Sequence, residues 1–148
     1  MEIITKSAQE TQKLGAKIGF DLKQGNLRSR VFCLYGDLGS GKTTFIQGLA
    51  KGLGIKKRIT SPTFVFIRKY TLEKNNSGLT SLFHVDLYRI ENFKEAQGLG
   101  LEEMMEDKQS LVVIEWPEKV KEILPIEKQE FCFSYDSENQ RKINYFSD

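Results

Sequence analysis

The feature that most constrains this chain is a glycine-rich segment that lies between an apolar run and a run with helical spacing. Residues 36–43 read Gly-Asp-Leu-Gly-Ser-Gly-Lys-Thr, a complete match to the pattern G-x-x-x-x-G-K-[ST]. Residues 30–35 before it are mainly apolar and β-prone, as in a buried strand. The apolar residues after it have the spacing of one helix face: Phe45, Ile46, Leu49, Ala50 and Leu53. A strand, a glycine turn and a helix in this order predict a phosphate-binding loop whose main-chain N–H groups surround an anion near the positive end of the helix.

The pattern also predicts which residues contact a nucleotide. The candidates in the loop and the first helical turn are Gly36, Gly39, Ser40, Gly41, Lys42, Thr43 and Thr44. Lys42 is expected to place its ammonium on the β- and γ-phosphates, and the Thr43 hydroxyl is expected to ligate Mg²⁺. We therefore predict ATP or ADP together with Mg²⁺ as the bound species.

Two acidic residues follow apolar strands and are candidates for the hydrolytic centre. Asp86 ends the run Leu-Phe-His-Val-Asp, and Glu115 ends the run Leu-Val-Val-Ile-Glu, where the acid of a Walker B motif would stand. Magnesium bound to phosphates usually takes one or two protein carboxylates. We expect Asp86 near the metal and Glu115 either near the metal or on the attacking water. The alternative for each residue is an acid at a strand end that faces solvent.

A hydroxyl-rich segment at residues 60–63 has two interpretations. With Pro62 restricting the backbone, Ser61 and Thr63 have the chemistry of a switch loop that senses the γ-phosphate. The same residues are equally typical of a turn that enters a strand.

Three further side chains are ambiguous in the sequence alone. His84, the only histidine, is interpreted mainly as a packed strand residue, and the alternative is a catalytic base. Trp116 either belongs to the core or covers the nucleotide. Arg141 is a candidate phosphate contact, although surface arginines usually have no such specific role.

Length and composition limit the class of protein. A chain of 148 residues with 39% hydrophobic and 28% charged residues is typical of one globular domain, which we assign to residues 1–148. A net charge of +2 is too small to indicate a nucleic-acid-binding protein by itself. The chain has no apolar leader at its start and no stretch long enough to span a bilayer, so we expect a cytoplasmic protein without membrane contact. Cys33 and Cys132 are predicted to be buried hydrophobic residues rather than a disulfide or a metal site.

Local patterns predict the remaining elements. A helix capped by Ser7 is expected to end near Gly25. Residues 64–72 and 79–88 are predicted to pair as an antiparallel hairpin, and the runs 131–135 and 142–146 as a second one. A broken helical region is expected at 92–105 and a helix at 117–124, after a continuous apolar strand at 111–114.

The order of these motifs resembles the TsaE (YjeE) family. The matching segments are Gly-Asp-Leu-Gly-Ser-Gly-Lys-Thr-Thr at 36–44, Ser-Pro-Thr-Phe at 61–64, His-Val-Asp-Leu-Tyr-Arg at 84–89, Leu-Gly-Leu-Glu-Glu at 99–103 with Glu95 before it, and Ile-Glu-Trp-Pro-Glu at 114–118. The resemblance implies a three-layer α/β P-loop NTPase fold with a central, mostly parallel sheet extended by antiparallel hairpins. It also implies an ATPase that is needed to make threonylcarbamoyladenosine on tRNA. The implied partners are TsaB and TsaD, of which TsaD carries the transferase chemistry, and the ATPase contacts tRNA only through the complex with them.

The resemblance also assigns roles to individual residues. The positions it implies for magnesium and hydrolysis are Thr43, Asp86 and Glu115, and those for the switch are Ser61, Pro62 and Thr63. The family's threonine near the adenine corresponds to Thr11, and its late arginine corresponds to Arg141. Val65 and Val85 depart from the family's usual residues, which affects strand packing rather than chemistry.

Other nucleotide-dependent functions remain open at this point. A small-molecule P-loop kinase needs an acceptor pocket and usually a lid, and the short span between Arg58 and Glu115 leaves little room for both. A GTP-dependent switch is disfavoured because the chain has no Asn-Lys-x-Asp motif. The third alternative is a module that binds the nucleotide without significant hydrolysis and uses it to order a partner-binding loop.

Overall fold

A seven-stranded sheet organises the computed structural model, which describes residues 1–26, 29–60 and 66–147. The strands are β1 (Glu2–Thr5), β2 (Val31–Tyr35), β3 (Ile67–Thr71), β4 (Ser81–Asp86), β5 (Ser110–Glu115), β6 (Gln129–Tyr135) and β7 (Arg141–Ser147). The α-helices are α1 (Ala8–Lys23), α2 (Lys42–Gly52), α3 (Phe93–Ala96) and α4 (Leu101–Glu106), and 3₁₀-helices cover Gln97–Leu99 and Pro117–Ile123. The spatial order of the strands is β1-β7-β6-β2-β5-β4-β3.

The sheet is parallel at its centre and antiparallel at both sides. The four adjacent strands β6, β2, β5 and β4 run parallel. Strand β3 pairs antiparallel with β4, and β7 pairs antiparallel with both β6 and β1. Both predicted hairpins are therefore confirmed, and the description "mostly parallel" holds for the central strands rather than for the whole sheet.

Helices cover both faces of the central strands, which confirms the three-layer architecture. On one face, Phe32 and Leu34 of β2 pack in a core with Phe45 and Leu49 of α2. On the other face, Val31 and Cys33 belong to a second core, formed with residues of α4 and the following 3₁₀-helix. Alternate side chains of one strand thus enter two cores, as expected for a strand covered on both sides. Cys33 is buried as predicted, whereas Cys132 is only half-buried.

Helices α1 and α2 pack so closely that their backbones touch through glycines. A Cβ atom placed on Gly48 would lie 2.1 Å from the Gln12 carbonyl oxygen, and one on Gly15 would lie 2.3 Å from the Phe45 carbonyl oxygen. Gly19 and Gly52 make equivalent approaches one turn further along. The predicted cap of α1 is confirmed, because the Ser7 hydroxyl accepts the Glu10 N–H at 3.1 Å. The glycine contacts hold the start of α2, and with it the glycine-rich loop, at a fixed position against α1.

Two elements differ from the sequence-based expectation. Residues 2–5 were not predicted as a strand, yet they form β1 by pairing with β7, in the register Ile3 to Ile143. Four residues are too few to show alternation, so a distant partner decides their conformation. Residues 117–123 form the predicted helix, but as a 3₁₀-helix with a break at Val120, and Val120 is fully buried at that break. Among the described helices, none is both long enough and apolar enough to cross a bilayer.

Candidate functional site

The glycine-rich loop joins the end of β2 to the start of α2 through backbone conformations that need glycine. Gly41 has φ 105° immediately before the first residue of α2, and Gly39 has φ 78°. A Cβ atom on Gly39 would also lie 2.6 Å from the Tyr135 hydroxyl oxygen. L-amino acids with side chains rarely adopt these values of φ, so the loop keeps its N–H groups available only with glycine at these positions.

One polar atom inside this loop, the Ser40 Oγ, has no hydrogen-bond partner in the described part of the chain. The Ser40 side chain is 1% exposed, and its Oγ makes no hydrogen bond to any residue that the structure describes. Buried hydroxyl groups are nearly always hydrogen-bonded, so an orphan of this kind needs an explanation. Ser40 does not line the cavity, so the fit of the loop to the anion that its sequence predicts depends instead on the positive φ values of Gly39 and Gly41, which leave main-chain N–H groups available.

A cavity of about 580 Å³ lies between this loop and the ends of two central strands. Ten of the predicted site residues line it: Thr11, Gly39, Gly41, Lys42, Thr43, Thr44, Asp86, Glu115, Trp116 and Arg141. Gly36 and Ser40 belong to the same loop but do not line the cavity. Ser61 and Thr63, the candidate switch residues, lie outside the described residues together with Pro62.

Six residues that were not predicted from the sequence as part of the site also line the cavity. They are Lys6, Ser7, Ala8, Leu38, Glu138 and Asn139. They come from the turn between β1 and α1, from the glycine-rich loop and from the turn between β6 and β7. Turn residues of this kind carry no local signal for binding, and the pairing of β1 with β7 is what brings the two turns together.

The two candidate acids meet at the same end of the sheet. In the parallel pair of β4 and β5, Asp86 is the register partner of Glu115. One oxygen of each carboxylate is hydrogen-bonded: Asp86 Oδ1 accepts the Tyr88 N–H at 3.0 Å, and Glu115 Oε2 lies 2.7 Å from His84 Nε2. Glu115 is 3% exposed and Asp86 is half-buried, so neither is the solvent-facing acid of the alternative interpretation.

Burial shifts the pKa values of two groups in the cavity. Burial, with a further contribution from the charge of Glu115, raises the pKa of Asp86 above its ordinary value, against the opposing hydrogen bond from Tyr88. Burial lowers the pKa of Lys42, although the charges of Glu115 and Asp86 oppose this shift. Each group thus carries a desolvation cost that a bound partner of opposite charge would reduce. Perturbed groups of this kind that share one cavity are typical of functional sites.

Lys42 and Trp116 are in contact at the centre of the cavity. Lys42 Nζ lies 4.0 Å from the centroid of the Trp116 ring and donates a hydrogen bond to the Gly36 carbonyl oxygen. Trp116 is the one non-glycine residue with positive φ among those described, with φ 61° and ψ 48°. Its ring packs at 5.3 Å from the Tyr88 ring, borders the second core and also lines the cavity, so a contact with the nucleotide stays a prediction. A strained residue of this type persists only where the surrounding structure holds it in place.

Arg141 and Thr11 line the cavity beside the glycine-rich loop, each with a side-chain carbon 3.8 Å from the Cβ position of Gly41. The Arg141 guanidinium stacks on the Tyr135 ring at 4.3 Å, and its Nη1 donates to the Glu138 carbonyl oxygen at 3.2 Å. The Tyr135 hydroxyl donates to the Leu38 carbonyl oxygen at 3.2 Å, which links the β6–β7 hairpin to the glycine-rich loop. The buried Thr11 hydroxyl pairs with that of Thr5 at 2.7 Å.

The donor set at the strand ends has the character that Mg²⁺ prefers. In the described parts of the chain, no group of three or more His, Cys, Asp or Glu side chains is placed to hold a metal ion. Magnesium bound with a nucleotide usually takes only one or two carboxylates, with phosphates and waters completing the shell. The Thr43 hydroxyl and the carboxylates of Asp86 and Glu115 are hard oxygen donors that border one cavity, and this set fits such an ion.

Comparison with known proteins identifies the family of this chain. A family model described as "Threonylcarbamoyl adenosine biosynthesis protein TsaE" matches residues 5–143. The tRNA threonylcarbamoyladenosine biosynthesis protein TsaE of Bacillus subtilis (strain 168) is 36% identical over 141 residues, covering 95% of this chain and 82% of the relative. The protein with the same name from Treponema pallidum (strain Nichols) is 38% identical over 125 residues, covering 84% of each chain.

A solved structure shares the fold. The crystal structure of Bacillus subtilis YdiB matches with a TM-score of 0.72 and 28% identity over 99% of this chain and 84% of that chain. The segment matched by the family model runs from the end of β1 into β7 and includes every residue that lines the cavity. This chain therefore belongs to the TsaE family, which is involved in tRNA threonylcarbamoyladenosine biosynthesis.

Proposed function

We propose that this chain is a magnesium-dependent P-loop ATPase of tRNA threonylcarbamoyladenosine biosynthesis that acts in the cytoplasm with the TsaB and TsaD proteins. The observation that carries this proposal is the single cavity that contains the glycine-rich loop, the start of α2 and two strand-end carboxylates. Family membership supports the pathway. In this proposal the chain reaches tRNA only through its partners, which agrees with its small net charge of +2.

The loop and α2 bind the polyphosphate. The main-chain N–H groups of residues 36–44 point at the phosphates, and the positive end of α2 adds a favourable partial charge. Lys42 leaves the Gly36 carbonyl and the Trp116 ring to contact the β- and γ-phosphates, which compensates the cost of burying its charge. The positive φ values of Gly39 and Gly41 support an anion at this position.

The strand-end carboxylates support hydrolysis. Thr43 and Asp86 would hold a magnesium ion, which would supply positive charge to offset the charge of the phosphates. Glu115 accepts a hydrogen bond from the attacking water and orients it toward the γ-phosphorus. Because the Asp86 carboxylate is costly when it is ionised beside Glu115, a divalent cation bound at this site would favour its charged form.

The nucleoside lies in the part of the cavity next to the loop. Thr11 on α1 and Arg141 on β7 border this part, beside the turns that contain Ser7 and Asn139. A nucleotide whose phosphates lie in the loop would extend toward these residues. The assignment of Thr11 to the adenine and of Arg141 to the nucleotide is part of the proposal.

The test measures binding, hydrolysis and tRNA modification on the same preparations. Wild type and Lys42→Ala are assayed for ADP binding by calorimetry, and for ATP hydrolysis and tRNA modification with and without TsaB and TsaD. We expect binding to depend on Lys42, slow turnover by the isolated chain and faster turnover with both partners, since the described residues contain no obvious arginine finger. ATP consumption that requires a small hydroxylated acceptor would instead indicate a kinase. Tight binding without turnover, even with both partners, would indicate a nucleotide-dependent binding module.

A further inference from the structure

His84 is a fully buried polar residue with one satisfied and one unsatisfied ring nitrogen. Its side chain is 0% exposed, and its Nε2 lies 2.7 Å from Glu115 Oε2. Its Nδ1 has no hydrogen-bond partner among residues 1–26, 29–60 and 66–147. Because the carboxylate oxygen of Glu115 accepts hydrogen bonds, this contact indicates that Nε2 carries a proton and donates it.

The strand register explains why these two side chains meet. Asp86 and Glu115 are register partners in the parallel pair of β4 and β5, and His84 stands two residues before Asp86. Residues two apart in a strand point to the same face, so the imidazole lies on the face that carries both acids. The pair joins positions 31 residues apart in the chain.

A purely structural role does not explain a histidine at this position. The neighbouring residues of the strand, Leu82 and Val85, are 0% exposed and apolar. An apolar side chain at position 84 would fill the core without leaving a buried nitrogen unpaired, which is an unfavourable arrangement. The contact with Glu115 is the one described interaction that compensates this cost.

We propose that His84 is a positioning residue for Glu115, an inference that rests on the proposed ATPase function. Its Nε2–H holds Oε2 of the Glu115 carboxylate in one orientation and leaves Oε1 as the oxygen offered to the cavity and to the attacking water. His84 does not touch the nucleotide in this proposal and acts only through Glu115. The residue thus serves the water-orienting role of Glu115, as outer partners orient the ligands of metal sites.

The kinetic test compares His84→Leu with His84→Gln in the full-length chain, assayed for ATP hydrolysis with TsaB and TsaD. Leucine removes the donor, and we expect kcat to fall about 10–100-fold while KM and ADP affinity stay unchanged. Glutamine carries an amide N–H that can donate in place of Nε2, so it should restore most of kcat. Leu82→Val, a core change in the same strand, is the control that should lower Tm without lowering kcat.

A double-variant cycle separates positioning from a general loss of structure. In the Glu115→Gln background, His84→Leu should cause little further loss of kcat, because both changes remove the same oriented carboxylate. An equally large loss in that background would overturn the proposal. A wild-type kcat in His84→Leu would also overturn it. The same holds for a parallel loss of kcat, ADP affinity and Tm in both His84 variants.

A spectroscopic test needs no turnover. His84 is the only histidine of the chain, so an untagged, ¹⁵N-labelled sample has one pair of imidazole nitrogen signals. We expect a proton on Nε2 and a change of the Nε2 shift in Glu115→Gln. An unprotonated Nε2, or a shift that does not respond to Glu115→Gln, would overturn the proposal. Failure of wild type to bind or hydrolyse ATP would instead overturn the proposed function, and the NMR result would still show whether the histidine–glutamate contact exists.

Discussion

Lys42 Nζ lies 4.0 Å from the centroid of the Trp116 ring, so the lysine of the glycine-rich loop and the tryptophan after β5 form a cation–π pair. The same ammonium donates to the Gly36 carbonyl oxygen. Both partners belong to the chain itself, and a polyphosphate in the loop would compete with them for the lysine. The pair therefore links occupancy of the loop to the surroundings of the indole ring.

Nucleotide binding should change the intrinsic fluorescence of the protein. Trp116 is the only tryptophan of the chain, so the whole indole emission reports on this site. We expect saturating ADP to change its intensity as Lys42 moves from the ring to the phosphates. The Lys42→Met variant should have altered emission without nucleotide and no response to ADP, whereas Lys51→Met, an exposed lysine at the end of α2, should respond as wild type does. Unchanged emission at an ADP concentration that calorimetry shows to be saturating would contradict this prediction.

Removal of the Lys42 charge should weaken ADP binding strongly. Truncation of one partner of a buried, hydrogen-bonded charge pair costs about 2–5 kcal/mol, so we expect Lys42→Ala to reduce ADP affinity by at least tenfold. Because burial lowers the pKa of Lys42, wild-type affinity should also fall at alkaline pH before an ordinary lysine would lose its proton. Calorimetric titration as a function of pH measures both effects. ADP affinity in Lys42→Ala equal to that of wild type would show that the phosphates bind elsewhere.

Loss of either acid should separate nucleotide binding from hydrolysis. Asp86→Ala and Glu115→Ala each leave the glycine-rich loop and Lys42 intact, so ADP binding without Mg²⁺ should be retained. Hydrolysis with TsaB and TsaD should fall by a factor on the order of 10²–10⁴, the range for loss of a positioned acid or base. Steady-state ATP hydrolysis and ADP titration on the same samples test this. If both variants hydrolysed ATP at the wild-type rate, the assignments of metal and water would be wrong.

Neutralisation of Asp86 should stabilise the nucleotide-free protein at neutral pH. Burial and the charge of Glu115 raise the pKa of Asp86, so the folded state holds this proton more tightly than the unfolded state. The free energy of unfolding therefore falls as pH rises through the raised pKa. Asp86→Asn avoids that cost and keeps an oxygen for the Tyr88 N–H, so its Tm should rise at pH 7, by about 2–4 °C for each kcal/mol gained.

The pH dependence and a second aspartate supply the controls for this prediction. The advantage of Asp86→Asn should shrink as pH falls toward the ordinary aspartate range, where the wild-type carboxyl is also neutral. Asp107 is exposed, and hydrogen bonds from the Gln109 N–H and the Ser110 hydroxyl lower its pKa. Asp107→Asn should therefore not raise Tm at pH 7. A lower Tm for Asp86→Asn than for wild type at pH 7 would contradict the sign derived for Asp86.

The close packing of α1 on α2 should make Gly48 intolerant of alanine. The new Cβ atom would lie 2.1 Å from the Gln12 carbonyl oxygen, which is backbone and cannot rotate away. We expect Gly48→Ala to lower the free energy of unfolding by about 1–3 kcal/mol, and to weaken ADP binding because α2 carries Lys42 and Thr43. Gly98→Ala is the matched control, since no atom lies within 4 Å of its added Cβ. Thermal unfolding of both variants provides the measurement, and equal Tm values for the two would show that the helices separate at little cost.

The phosphate-binding loop could be predicted from the sequence because its chemistry is local. Nine consecutive residues contain the glycines, the lysine and the threonine, and φ values of 78° at Gly39 and 105° at Gly41 explain the glycine pattern. Both hairpins could also be predicted from neighbouring residues, because each consists of two β-prone runs separated by turn residues. The placement of Asp86 and Glu115 in one cavity also followed from the strand ends, since parallel strands finish at the same edge of a sheet.

What the sequence determined by itself was the kind of loop, the hairpins and the identity of the strand-end acids, since each depends on neighbours within a few residues. Tertiary structure alone decided that His84 bonds to Glu115, that Trp116 covers Lys42, and that the first residues form an edge strand beside β7. These contacts depend on the order of strands in the sheet and on the register between them. A linear pattern of polar and apolar residues does not contain that information, because many strand orders bury the same residues equally well.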